Sequence, residues 1–233
     1  MQVLTTRTPF RRCMTLSGFT SQMMMMHEDN PRLVAYGTQL AAGRVELSTA
    51  ERGLIEAEER LMLVRVTVKF VDYLVDTWLR RLHGQTQIFD GHKSGRLTTR
   101  LFPDGLVEII RRVGVVQVDR MLGLEARLRA TQDWDEAPAQ LATLVQHRTR
   151  YEGALADRST AANEVVIARA NRDGVKERFL DLYAGLAGLV RSEFPRNRRM
   201  QNLFFEAVRA QGRGVEEPDE DLPEEPEDGD TEG

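Results

Sequence analysis

The stretch PRLVAYGTQLAAGRVELSTAERGLIEAEERLMLVRVTVKFVDYLVDTWLRRL, residues 31–82, decides the fold. Steps of alternately three and four residues from Leu33 pass through Tyr36, Leu40, Gly43, Leu47, Ala50, Leu54 and Ala57. They continue through Leu61, Val64, Val68, Val71, Val75, Trp78 and Leu82, and no charged or amide side chain falls on the path. A repeat of three and a half residues held this long is the signature of a long helix packed against another helix. The first series of that seam is Leu33, Leu40, Leu47, Leu54, Leu61, Val68, Val75 and Leu82, and the second is mostly small until Trp78. Asn30 and Pro31 supply the start, one as a cap and the other at a position where the missing N–H is not needed. Past Leu61 the apolar face widens to include Leu63, Val66, Phe70 and Leu74, so this half is expected to be covered by more than one helix.

Three further helical segments follow. Asp104, after Pro103, can cap a helix through Leu106, Ile109, Ile110, Val113, Val116, Met121, Leu124 and Leu128. TQDWDEAPAQ, residues 131–140, interrupts it, with Asp135 as the expected cap of the next helix and Pro138 unable to continue the previous one. A second seam then runs through Leu144, His147, Tyr151, Ala154, Arg158, Ala161, Val165, Ala168, Arg172, Val175, Phe179, Leu182, Leu186 and Leu189. Phe194–Pro195 ends it, and residues 197–210 form a short last helix.

With no βαβ pattern anywhere, the expected fold is all-α: an elongated antiparallel bundle, coiled-coil-like, with long helices in up-down-up order. Two connectivities fit. Either residues 104–157 return along the first helix as a kinked partner, or 106–131 form a short descending helix and 137–193 one long ascending helix.

Composition agrees. The chain has 233 residues, 41% hydrophobic, 29% charged and only 6% aromatic, a profile that suits long helices. The net charge of −4 hides an asymmetry. From Glu216 to Gly233 there are eleven acids and no base, while the first 215 residues hold 25 acids against 32 bases, a net of +7. Such a tail has almost nothing to bury, so residues 211–233 are expected to be disordered. Residues 1–29, with Arg7, Arg11 and Arg12 and no acid before Glu28, are expected to be a disordered arm. They contain no continuous apolar core of secretory length, so no signal peptide is expected, and no window of 18 apolar residues predicts a membrane span. A single cysteine, Cys13, excludes an intrachain disulfide framework and a thiolate metal cluster. A cytoplasmic location is the expectation that follows.

The glycine-rich loop GQTQIFDGHKSGRLTTRLFPDG, residues 84–105, is the one stretch with the composition of a site. It fails as a phosphate cradle, because Gly91 and Lys93 are separated by His92 and a helix, not a strand, precedes it. His83, Asp90 and His92 lack a rigid scaffold for a metal. No nucleophile has a base beside it and no pair of carboxylates is held in a pocket, so no enzymatic activity, cofactor or small-molecule substrate is expected. The loop does carry cations. Arg80, Arg81, Lys93, Arg96 and Arg100 flank the first Phe-Pro break, and Arg196, Arg198 and Arg199 flank the second. In an up-down-up rod both breaks lie at one end, so these eight would form a basic pole able to bind an acidic partner surface, a nucleic-acid backbone or the chain's own tail. The expected function is therefore a non-enzymatic interaction or scaffold protein that self-associates or docks a partner helix along the seam of residues 33–60. The alternative is a nucleic-acid-associated protein whose basic pole is regulated by the acidic tail.

Overall fold

The structure, a computed structural model, describes residues 4–205. It is all-α: 81% of these residues are helical and no strand is present among them. The elements are α1 (Phe10–Met25), α2 (Pro31–Asp90), α3 (Arg96–Leu101), α4 (Val107–Ile110), α5 (Val115–Arg129), α6 (Ala137–Glu193) and α7 (Arg198–Leu203).

Helix α2 is 60 residues long, about 90 Å at the α-helical rise. It begins where the sequence places its cap: the Asn30 side chain accepts the N–H groups of Arg32 and Leu33, and Pro31 follows. Every member of its leading seam is buried except Leu61, which is half-buried. The partner is α6, 57 residues long and antiparallel to α2. Matched levels fix that direction: Arg32 pairs with Glu193, Tyr36 donates to the Leu182 carbonyl, Arg60 pairs with Glu164, and the Tyr151 hydroxyl donates to Asp72. Leu144, Tyr151, Ala154, Ala161, Val165, Val175, Phe179 and Leu186 of the second seam are buried. Arg158 and Arg172, the poor positions of that seam, do not interrupt α6. Pro138 sits in its first turn, where it breaks no hydrogen bond. Asp135 is not the cap: Glu136 takes that place, with no side-chain hydrogen bond.

Of the two connectivities, the one with a short middle helix and a single long helix over 137–193 has the observed elements, but α6 runs down against α2 instead of up beside it. Between α2 and α6 the chain turns twice, at Gly105 (φ 80°) and Gly114 (φ 72°, ψ −142°), and the second conformation is open essentially to glycine alone. The helix expected from Asp104 is thus split into the single turn α4 and the 15-residue α5. Helices α3 and α4 lead back along α2 to the level of Asp72. From there α5 runs parallel to α2 and packs on α6, with Gln117 donating to Asp76 and Arg148 pairing with Glu125. The long helices are up and down only.

A second correction concerns the N-terminus. The region expected to be a disordered arm contains α1, with Cys13, Leu16, Ser17, Thr20, Ser21 and Met24 buried against α2 and α6. Two sequence features allow it to approach closely. Gly37 of α2 leaves room for Met24 and for the Ser21 carbonyl, 3.0–3.1 Å from where a Cβ would stand. The Ser21 hydroxyl then donates to the Gly37 carbonyl at 2.9 Å.

The core falls into two clusters. One joins α1, the first part of α2 and the last part of α6 with Phe204 and Phe205, and the other joins α2 from Val68 onward with α3, α5 and the first part of α6. Between them lies a waist of only two helices, where Leu54, Ala161 and Val165 are buried but belong to neither cluster. Ion pairs Arg60–Glu164, Arg169–Glu58 and Arg172–Glu51 cross this waist. The acidic tail, residues 211–233, and the end of the expected last helix lie outside the described residues.

Candidate interaction surfaces

The loop after α2 is a structural turn. Gly91 ends α2 in the left-handed conformation (φ 74°), and the chain reverses over five residues. Asp90 then caps α3 from the preceding helix: its carboxylate accepts the N–H of Leu97 (3.0 Å), the N–H of Thr98 (2.8 Å) and the Thr98 hydroxyl (2.7 Å). Burial acts to raise the Asp90 carboxyl, but these hydrogen bonds and His92 outweigh it and hold it below its ordinary value. Gly95 is required by proximity, since a Cβ there would come within 2.1 Å of the Asp90 side chain. His83 packs edge-on against Phe102 and His147 against Trp78, both as helix-packing residues. Among the described residues no group of three His, Cys, Asp or Glu side chains could hold a metal ion.

The basic pole does not assemble. Because α6 descends, its Phe194–Pro195 end lies beside the start of α2, where Asn30 donates to Glu193. Arg196, Arg198 and Arg199 are therefore at one end of the rod, and Arg80, Arg81, Lys93, Arg96 and Arg100 are at the other, about 80 Å away by helix length. Within the second group, Asp133 binds Arg100 and lies 3.7 Å from Arg96, so two of the five are already neutralised. Arg80, Arg81 and Lys93 are exposed and make no ion pair among the described residues. The nucleic-acid alternative loses the single pole on which it rested.

The seam of residues 33–60 is not a free docking surface either. Leu33, Leu40, Leu47 and Leu54 are each less than 5% exposed, covered by α6 and, toward the N-terminus, by α1.

At the junction of α2, α5 and α6 a buried polar network locks the short helices to the hairpin. The Tyr151 hydroxyl accepts the Gly114 N–H (2.9 Å) and donates to Asp72 (3.0 Å), while Gln117 donates to Asp76 (3.0 Å). Burial, with Asp72 beside it, pushes the Tyr151 phenol up to about 12. Burial also raises the Asp76 carboxyl above its ordinary value, helped by the charge of Asp72 and opposed by Gln117 and Arg80. A raised carboxyl means that the folded state resists ionising it: the cost is absent below the unfolded value of 3.8 and grows as pH rises through the folded one. Asp76→Asn is thus expected to be more stable than the parent at pH 7 and equal to it at pH 3, as read by urea unfolding at both pH values.

The free surface is on the opposite side of α2. Among the described residues the apolar widening past Leu61 is not covered, because α5 lies on the Asp72–Asp76 side. Leu74 is half-buried, but Met62 (57%), Leu63 (63%), Val66 (62%), Phe70 (54%) and Tyr73 (61%) are exposed. The sequence pattern singles out Leu63, Val66, Phe70 and Leu74 but not Met62 or Tyr73, and the covering helix it predicts is not found among the described residues. Among the described residues no helix is long and apolar enough to cross a membrane. Comparison with protein-family models, curated proteins and solved structures returned no match.

Proposed function

We propose that this protein is a non-enzymatic interaction or scaffold protein: a helical-hairpin rod whose working surface is the outward face of α2 between Met62 and Tyr73. One observation carries the reading. Five large apolar side chains, each more than half exposed, stand within twelve residues of α2 on the side away from its buried Val68, Val71 and Val75. Contiguous exposed apolar patches on soluble proteins are small unless something binds them. The small residues needed for a rigid, narrow rod are spent inside the hairpin, so the bulky ones outside it have no role in holding the fold.

The test is substitution on that face. Phe70→Glu alters an exposed residue and is expected to leave helicity and unfolding midpoint within experimental error of the parent. Immobilised parent protein is expected to recover bound protein from cell extract that Phe70→Glu does not. Equal recovery by both would sink the reading, as would recovery by neither from extract supplied with a differently tagged copy of the chain.

A further inference from the structure

We infer that the occupant of the outward face of α2 is a second copy of this chain, docked antiparallel about a two-fold axis at the level of residue 68. This rests on the interaction-surface reading above and names the partner.

The argument begins with the pattern on the helix. At 3.6 residues per turn, Met62, Leu63, Val66, Phe70 and Tyr73 fall within an arc of about 100°. That arc is roughly opposite Val68, Val71 and Val75, which face the hairpin core. Helix α2 therefore has two apolar faces, one satisfied by α6 and one with no partner among the described residues. The outward stripe is centred between Val66 and Phe70, with the aliphatic Leu63 and Val66 before the centre and the aromatic Phe70 and Tyr73 after it. With a two-fold axis at residue 68, Val66 of one copy meets Phe70 of the other, and Leu63 meets Tyr73. Each layer then pairs a smaller aliphatic side chain with an aromatic one, as alternating large and small residues do where facing helices interdigitate.

Charge supports the same register and orientation. Glu56 and Glu59 lie just before the stripe, and Arg80 and Arg81 lie just after it. None of the four makes an ion pair among the described residues, although Glu58, Arg60 and Glu51 nearby are paired across the hairpin. Acid at one end and base at the other is complementary to itself only when reversed. An antiparallel copy places Glu56 and Glu59 beside the second copy's Arg80 and Arg81 twice over, whereas a parallel copy would set acid on acid and base on base. Ile55, 48% exposed, reaches the level of Arg81 and can pack on the aliphatic part of that side chain. The contact from Ile55 to Arg81 is about 40 Å long.

Sedimentation velocity of the full chain at micromolar concentration is expected to give twice the chain mass. Phe70→Glu places two charges in the centre and is expected to weaken association by at least about 100-fold. Reversing Glu56 and Glu59 to Arg is expected to weaken it about 10-fold, and adding Arg80→Glu and Arg81→Glu in the same chain is expected to restore it. Orientation is read by disulfide trapping. Leu63→Cys mixed with Tyr73→Cys is expected to form the mixed disulfide, and Leu63→Cys alone is expected to form little, because Cys13 is buried and the two copies of position 63 lie far apart. A monomer at 100-fold higher concentration overturns the inference, as does self-linking of Leu63→Cys equal to the mixed product. If the chain is monomeric but Phe70→Glu still strips a bound protein from extract, the surface reading stands and the second copy is excluded. If neither effect is seen, both fall.

Discussion

A chain shortened to begin at Asn30 is expected to unfold at a markedly lower urea concentration than the full chain, with a loss of about 3–6 kcal/mol. The estimate starts from four apolar side chains of the removed segment that are 8% exposed or less: Leu4, Cys13, Leu16 and Met24. Burying a large aliphatic side chain is worth roughly 1.5–3 kcal/mol, and about half of the gross gain is offset by ordering the segment. The other side of the contact adds to the loss. Leu33 and Leu40 are fully buried in the same cluster, and truncation would open them to water. Polar contacts go as well: Thr20 and Tyr183 lie 3.3 Å apart through their hydroxyls, the Ser21 hydroxyl donates to Gly37, and Lys176 donates to the Thr6 carbonyl. Tyr183 would lose its hydroxyl partner and its cover by α1 together. Urea titration followed by circular dichroism reads the difference. Equal midpoints for the two chains would show that α1 contributes nothing.

That result bears on what the sequence made legible. The two long helices were readable because their apolar period survives over about seven and six and a half heptads, and such a pattern has few alternative structures. Asn30 with Pro31 marked the start of α2 for reasons of local chemistry alone. Helix α1 was not legible because its buried side chains include Ser17, Thr20 and Ser21. Each hydroxyl donates to a backbone carbonyl, which makes a polar residue acceptable at a helix contact and removes it from any apolar pattern. The direction of α6 turned on Gly114, whose mirror-image backbone conformation sends α5 back along α2. A glycine in sequence does not announce the sign of its φ. Once that direction was reversed, the two arginine groups separated, and no reading of their local composition could have revealed it. The outward stripe is the converse case: Leu63, Val66 and Phe70 were legible as apolar, but only the placement of α5 shows that nothing in the described chain covers them.

Leu79→Ala is expected to destabilise one end of the rod by about 3 kcal/mol and leave the other end unchanged. Leu79 is fully buried in the cluster of α2, α3, α5 and α6, and truncating a leucine in such a place leaves a cavity as well as losing transfer energy. In a protein with one core this loss would reach every amide. Here the connection between the cores is thin. Only Leu54, Ala161 and Val165 are buried in the waist, two of them small, and the ion pairs beside them are exposed enough to contribute little. A helix can continue through such a region without transmitting the stability of either end, since its own hydrogen bonds open locally at small cost. Native-state hydrogen exchange is therefore expected to accelerate roughly 100-fold in α5 and in the part of α6 from Leu144 to Ala154. Amides of α1 and of Val175–Val190 are expected to keep their parent rates. Leu40→Ala should give the mirror image, with the acceleration confined to α1 and the far end of α6. Equal acceleration at both ends in either variant would mean that the waist couples the cores into a single folding unit.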